Sequence, residues 1–136
     1  MIILNMNKIT KSEKEWKNQL TEKEFLVTRK KGTEPAFSGK KFDSNKVGYF
    51  KCICCDEILF HSDSKYESNS GWPSFFEHYA KDSILEVLDT SHGMTRTEVV
   101  CNTCDSHLGH LFDDGPEPTG KRYCIISLSL KFEEIE

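Results

Sequence analysis

The chain has 136 residues, 18 basic groups against 22 acidic ones for a net charge of −4, and six cysteines in a composition that is 37% hydrophobic and 29% charged. That is chain enough for one domain burying about two-thirds of its unfolded surface, with the balance of a soluble globular protein. No apolar run approaches the ~18 residues of a membrane span, and the opening MIILNMNK has neither the basic start nor the apolar length of a secretory signal. A membrane protein, a disordered tail and a disulfide scaffold are set aside. The expected location is a reducing cytoplasm, where cysteines serve metal binding or catalysis.

In chain order, residues 1–11 read as a flexible arm ahead of a single domain over 12–136. Ser12 opens a capping box with Glu15, which puts Trp16 and Leu20 on one helical face. Thr21 and Glu24 make a second box, Phe25 lies four residues before Arg29, and Gly32 is placed to end that helix at its C′ position. Residues 1–31 hold eight basic and four acidic groups. These alternate, as in EKEWKNQLTEKEF, which is the pattern of a solvated helix face rather than of an anion-binding arm. The acidic remainder disfavours nucleic acid, whose phosphates need clustered Lys and Arg. A turn-rich stretch, GTEPAFSGKKFDSNKVG, leads to Tyr49. From there short β-branched or aromatic segments alternate with Gly, Pro, Asp and Ser clusters: Tyr49–Phe50, Ile58–Phe60, Ile84–Leu88, Thr95–Val100 and Arg122–Phe132. In the last, Cys124, Ile126, Leu128, Leu130 and Phe132 share a face, and Ile125 on the other side implies burial on much of both. The residues thus describe one mainly β domain behind a short N-terminal helical pair.

Cys52-x-x-Cys55 and Cys101-x-x-Cys104 are two CxxC pairs, each able to close a tight turn with both thiolates on one side. Together they supply a tetrahedral Zn(S-Cys)₄ site with no open coordination position, so one structural zinc per chain is expected, clipping two sequence-distant hairpins. Three alternatives stand beside this: a redox role for the CxxC pairs, Cys54 in place of Cys55 as a ligand, and His107 in place of a thiolate.

Cys54 and Cys124 are left over. In an extended strand Arg122 and Cys124 share a face, and a guanidinium beside a thiol favours the nucleophilic thiolate. His107 and His110 can exchange protons near neutral pH, and Gly109 and Gly115 suggest a tight loop bringing them to Cys124. A buried free cysteine in a β core and a histidine merely supporting the zinc ligands are the plainer readings of the same residues.

The ordered set Cys52-x-x-Cys55, Gly71-Trp72-Pro73-Ser74-Phe75, Cys101-x-x-Cys104-x-x-His107-Leu108-Gly109-His110-x-Phe112-x-Asp114-Gly115-Pro116 and Gly120-x-Arg122-Tyr123-Cys124 closely resembles the methionine-R-sulfoxide reductases of the B type (MsrB), from about Leu20 to Phe132. The resemblance implies two antiparallel sheets in a β-tent-like arrangement with N-terminal helices, and zinc held by Cys52, Cys55, Cys101 and Cys104. It implies Cys124 as the nucleophile attacking a sulfoxide sulfur, and Arg122 as the group favouring its thiolate. His107, His110 and Asp114 would shape the polar side of the pocket and assist protonation of the sulfoxide oxygen. Trp72 would pack on the substrate S-methyl group, with Phe112 also lining the site. The product would be methionine and a sulfenic acid on Cys124, which a second thiol such as thioredoxin reduces. The implied partners are oxidised proteins or peptides and a thiol reductant, with no membrane and with the chain a monomer.

Two positions depart from the family pattern. Ser70 stands where many members carry a resolving cysteine, leaving an external thiol, or Cys54, to regenerate Cys124. Ile126 stands where an asparagine is common, which removes a polar pocket contact. Two other functions compete. One is a non-enzymatic zinc module binding protein or RNA, disfavoured by the negative charge. The other is a general disulfide oxidoreductase, which lacks a CxxC outside the zinc set.

Overall fold

In the computed structural model, which describes residues 8–43 and 45–135, both capping boxes form. Ser12 Oγ accepts from the Glu15 N–H at 3.2 Å and the Glu15 carboxylate accepts from the Ser12 N–H at 2.9 Å, starting α1 (Glu13–Gln19). Thr21 and Glu24 do the same for α2 (Glu22–Lys30). Trp16, Leu20 and Phe25 are buried as the helical spacing requires. The end of α2 differs from expectation: Lys31, not Gly32, takes the left-handed conformation, at φ 58° and ψ 34°. For a residue with a Cβ that costs about 1 kcal/mol, so Lys31 is held there by something it contacts. Of the expected arm, residues 1–7 lie outside the described ones. Lys8 pairs with Asp105, and the Ile9 N–H donates to the Thr103 carbonyl at 2.7 Å.

Among the described residues nine strands follow: β1 (Gly48–Cys52), β2 (Ile58–His61), β3 (Lys65–Tyr66), β4 (Ser74–Phe75), β5 (Ile84–Asp89), β6 (Arg96–Cys101), β7 (His107–Phe112), β8 (Arg122–Ile125) and β9 (Leu130–Glu134). They make two antiparallel sheets, one of order β2-β1-β9 and one of order β3-β4-β8-β7-β6-β5. The chain is therefore mainly β, with two antiparallel sheets behind a short helical pair, as expected.

The expected single strand over Arg122–Phe132 does not run through. β8 stops at Ile125, a 3₁₀ turn occupies Ser127–Ser129, and β9 resumes at Leu130 in the other sheet. The buried Glu34 carboxylate causes the break: it accepts from the Ser127 N–H at 3.2 Å, the Ser127 hydroxyl at 2.8 Å and the Leu128 N–H at 3.2 Å. Those donors are then satisfied by a side chain instead of a neighbouring strand. Gly109 also differs: it lies inside β7 rather than in a loop. A Cβ there would come within 2.0 Å of the Cys124 carbonyl, so its bare backbone lets β7 approach β8 at Cys124.

Register sorts the six-stranded sheet into faces. Thr97, Leu111, Tyr123 and Phe75 are successive cross-strand partners on β6, β7, β8 and β4. Phe75 and Tyr123 of that row enter the core against Phe50 and Phe60 of the other sheet, with Phe60 stacked on Phe75 at 4.2 Å between ring centres. The adjacent row is Glu98, His110, Cys124 and Ser74. Because side chains alternate along each strand, this polar row occupies the opposite face.

Candidate active site

The two CxxC turns have the same construction. Cys52 N–H donates to the Glu57 carbonyl at 2.9 Å and Asp56 N–H to the Cys52 carbonyl at 3.0 Å; Cys101 N–H donates to the Ser106 carbonyl at 2.9 Å and Asp105 N–H to the Cys101 carbonyl at 2.8 Å. Asp56 and Asp105 both take positive φ, 68° and 64°, which closes each turn and points its thiols to one side. Arg29 of α2, stacked on Trp16, donates to the Cys104 carbonyl at 2.8 Å and braces the second turn. The Sγ atoms of Cys52, Cys55, Cys101 and Cys104 all lie within 4.8 Å of one another, with Cys52–Cys104 and Cys55–Cys101 at 3.6 Å. Zinc–sulfur bonds of ~2.3 Å in a tetrahedron require sulfurs about 3.8 Å apart, so the four fit a metal ion. Cys54 stands outside the cluster, buried in the core with its carbonyl accepting from Gln19 at 2.6 Å. His107 also stands outside it, its Nδ1 engaged by a carboxylate. Of the alternatives left open by spacing, the CxxC set is the one the turns bring together.

On the polar face of the large sheet, Cys124 sits half-buried at a cavity of about 120 Å³ lined by Thr33, Trp72, His107, His110, Phe112 and Ile126 besides itself. Trp72 is fixed by its indole N–H, which donates to the Glu34 carbonyl at 3.0 Å. Ile126, at the strand break, is buried and gives the cavity an apolar wall. His110 is the direct cross-strand partner of Cys124, and the His107 and His110 rings meet edge to face at 5.5 Å. Burial pushes the His107 imidazole below its usual range against the opposing effect of its hydrogen bond to the Glu98 carboxylate.

Burial also dominates at the thiol, pushing Cys124 above the usual thiol range. The Arg122 charge acts in the expected direction, downward, and a Ser70 hydrogen bond assists it, but together they do not overcome desolvation. Part of the reason is that Arg122 is already committed: it grips Asp114 bidentately at 2.8 and 3.2 Å and lies 4.3 Å over the Phe112 ring. The Arg122 guanidinium holds Asp114 below the usual carboxylate range. Asp114 lies in a neighbouring groove with Tyr66, Ser68, Ser70 and Arg122, not on the wall of the Cys124 cavity. Ser70 belongs to a hydroxyl cluster in which Ser68 contacts Ser70 at 2.8 Å and Ser74 at 2.6 Å.

Sequence reasoning singled out neither Glu34, which positions Trp72 and the break after Cys124, nor Glu98 and Asp89, which hold the two histidines. Glu34 acts 93 positions from Ser127 and Asp89 21 from His110, while Glu98 meets His107 nine residues on, across the β6–β7 hairpin, and no motif spacing marks any of them.

Fold and site define a class: a two-sheet β domain with four clustered cysteines that could hold a metal ion and a separate thiol set in a small cavity beside two imidazoles. Residues 20–134 match the SelR domain. The chain is 51% identical over 131 residues to the peptide methionine sulfoxide reductase MsrB of Hahella chejuensis, spanning 96% of this chain and 94% of that protein. It is 50% identical to the MsrB of Acinetobacter baylyi and 49% to that of Acinetobacter baumannii, with the same coverage. The chain belongs to the MsrB family.

Proposed function

We propose that this protein reduces the R epimer of methionine sulfoxide in peptides and proteins, with Cys124 as nucleophile. The observation that carries the reading is the placement of the Cys124 thiol in a cavity of about 120 Å³ walled by Trp72 and Ile126 on its apolar side and by His107 and His110 on its polar side. Cavities of ~150 Å³ hold a benzene, so this one has room for a CH₂–S(O)–CH₃ terminus and not for a whole residue. The methyl group would lie on Trp72 with the oxygen toward the imidazoles.

A sulfoxide oxygen leaves only when protonated. The Cys124 thiol gives up its proton, its sulfur attacks the substrate sulfur, and a proton delivered from the histidine side goes to the oxygen. In the net reaction the oxygen moves from the substrate to Cys124: the substrate sulfur gains two electrons and becomes a thioether, and Cys124 loses two and becomes a sulfenic acid. An external thiol, such as thioredoxin, then condenses with the sulfenic acid to a mixed disulfide and water. A second thiol displaces Cys124 as thiol again. Ser70 in place of a resolving cysteine supports direct external reduction, and Cys54, buried among the helices, is not on the cavity wall.

Cys52, Cys55, Cys101 and Cys104 would hold one zinc ion, which supplies a closed structural cross-link and takes no part in oxygen transfer. Among the described residues no helix is long and apolar enough to cross a membrane. Four cysteines gathered for a metal ion and a fifth set in a cavity are uses that a reducing compartment favours, and the cytoplasm is the working location.

Separated R and S epimers of a methionine sulfoxide peptide, assayed with thioredoxin and with a small dithiol, test the reading. Turnover of R alone is expected, abolished in Cys124→Ser with fold and metal content retained. Preference for S, or activity surviving Cys124→Ser, would end it.

A further inference from the structure

The two histidines of the cavity are not free side chains. His107 Nδ1 lies 2.7 Å from Glu98 Oε2, and the other oxygen of that buried carboxylate, Oε1, lies 3.2 Å from Lys31 Nζ. His110 Nε2 lies 2.8 Å from Asp89 Oδ2, which the Arg96 guanidinium approaches at 3.5 Å, while Oδ1 accepts from the Ser91 N–H at 2.9 Å and the Ser91 hydroxyl at 2.7 Å. Two cation–carboxylate–imidazole chains thus run side by side into one cavity. They are built from separate elements: Lys31 at the end of α2, Glu98 and Arg96 on β6, Asp89 on β5. The left-handed conformation of Lys31, one residue before a glycine that could take it freely, delivers its amine to Glu98.

The geometry points to Glu98 and Asp89 as positioning residues that fix opposite tautomers in the two histidines, Nδ1–H in His107 and Nε2–H in His110, so that each ring keeps its other nitrogen as a proton acceptor for the cavity. A carboxylate accepts only, so the ring nitrogen facing it carries the hydrogen. An imidazole anchored in this way can take a proton on its other nitrogen without turning, and the carboxylate behind it steadies the cation that forms. In terms of the reaction proposed above, on which this step rests, His110 is the direct cross-strand neighbour of Cys124 and is the ring to accept the thiol proton and pass it to the sulfoxide oxygen. No other donor is needed, because the proton released by the thiol is the proton the oxygen requires. Asp89 and Glu98 touch neither the thiol nor the substrate and act through the rings they hold.

The carboxamide variants make this testable because the second oxygen of each carboxylate is already occupied. In Asp89→Asn the amide oxygen stays with the two Ser91 donors, and in Glu98→Gln it stays with Lys31. Each variant therefore turns an NH₂ group toward the histidine, where two donors would collide, and forces the opposite tautomer. Long-range ¹H–¹⁵N NMR of the imidazoles in the wild-type protein should show the proton on Nδ1 of His107 and Nε2 of His110, each reversed only in its own variant. In peptide sulfoxide turnover, kcat should fall at least tenfold in Asp89→Asn, with KM within about threefold. Wild-type rings carrying their protons on the other nitrogens, or a reversed His110 with kcat within twofold of wild type, would overturn the proposal. The spectroscopic arm reads the resting protein, so it decides the tautomers even if the wild-type chain proves not to reduce sulfoxides, a result that would count against the function and not against the pairing.

Discussion

At Cys124 the competition is between burial and charge. Burial raises the thiol more than Arg122 and Ser70 lower it, so the free protein holds this group mainly as thiol near neutral pH, against the expectation from the Arg122 neighbourhood alone. Because only the thiolate alkylates, the rate of iodoacetamide labelling at Cys124, followed by mass spectrometry, should keep rising with pH past the ordinary thiol midpoint of about 8.5. Arg122→Ala should move the midpoint higher still. A wild-type midpoint well below 8.5 would show that the guanidinium outweighs desolvation. Ser70 gives a second prediction. Its hydroxyl lies 3.5 Å from that of Ser74, the cross-strand partner of Cys124, so a thiol placed there stands near a sulfenic acid. After one turnover without reductant, Ser70→Cys should contain a disulfide to Cys124, whereas the wild-type protein should stop at a sulfenic acid. Persistence of the sulfenic acid in the variant would mean the two side chains cannot meet.

At the scale of elements, β7 and β8 meet more closely than two ordinary strands, and Gly109 permits it. In Gly109→Ala a methyl group would sit 2.0 Å from the Cys124 carbonyl, so one strand must move. The expected loss, read from urea unfolding, is about 1–3 kcal/mol, accompanied by a larger loss of activity than of stability, because the displaced strand carries both histidines. An unchanged unfolding midpoint would show that the pair of strands has slack. What was legible in the sequence divides at this scale. Both helices were, because Ser12–Glu15 and Thr21–Glu24 are complete local signals, and so were the CxxC turns, whose ligands are three residues apart. β7 was not, since His-Leu-Gly-His reads as a loop when its glycine serves strand approach instead of a turn. β3 and β4, two residues each, are too short to show a period. The strand over 122–132 was overextended because its alternation continues through Ser127 and Ser129, while Glu34, in the turn-rich stretch some ninety positions earlier, decides where it breaks. Glu98 and Asp89 were invisible for the same reason: register chooses their partners, and register is not written locally.

Across the whole molecule, the four-cysteine cluster joins the β1–β2 turn of one sheet to the β6–β7 turn of the other. Thr103, donating to Glu57 at 2.9 Å, is the small polar contact that accompanies it. Three residues after Cys104 the chain reaches His107, so metal occupancy and histidine placement are mechanically linked although Cys124 is not a ligand. Removal of the ion by a strong chelator, or Cys55→Ser, should lower the thermal midpoint by about 10 °C or more, given that 1 kcal/mol moves it by about 2–8 °C at such chain lengths. Sulfoxide turnover should disappear in parallel while Cys124 still labels. Metal analysis should find one zinc per chain beforehand. A metal-free protein with an unshifted midpoint would mean that the aromatic core around Phe50, Phe60 and Phe75 holds the sheets unaided.

The row Glu98, His110, Cys124 and Ser74 also sets what descent can alter in this chain. Loops between strands can lengthen without disturbing it, since none supplies a member of the row. A single residue inserted into the middle of β7 or β8 is different: it inverts every side chain beyond it, sending His110 or Cys124 toward Tyr123 and Phe75 and an apolar neighbour into the cavity. Variation among relatives should therefore collect insertions and deletions in the turns and exclude them from these two short strands, whatever happens to the identities of the residues around them.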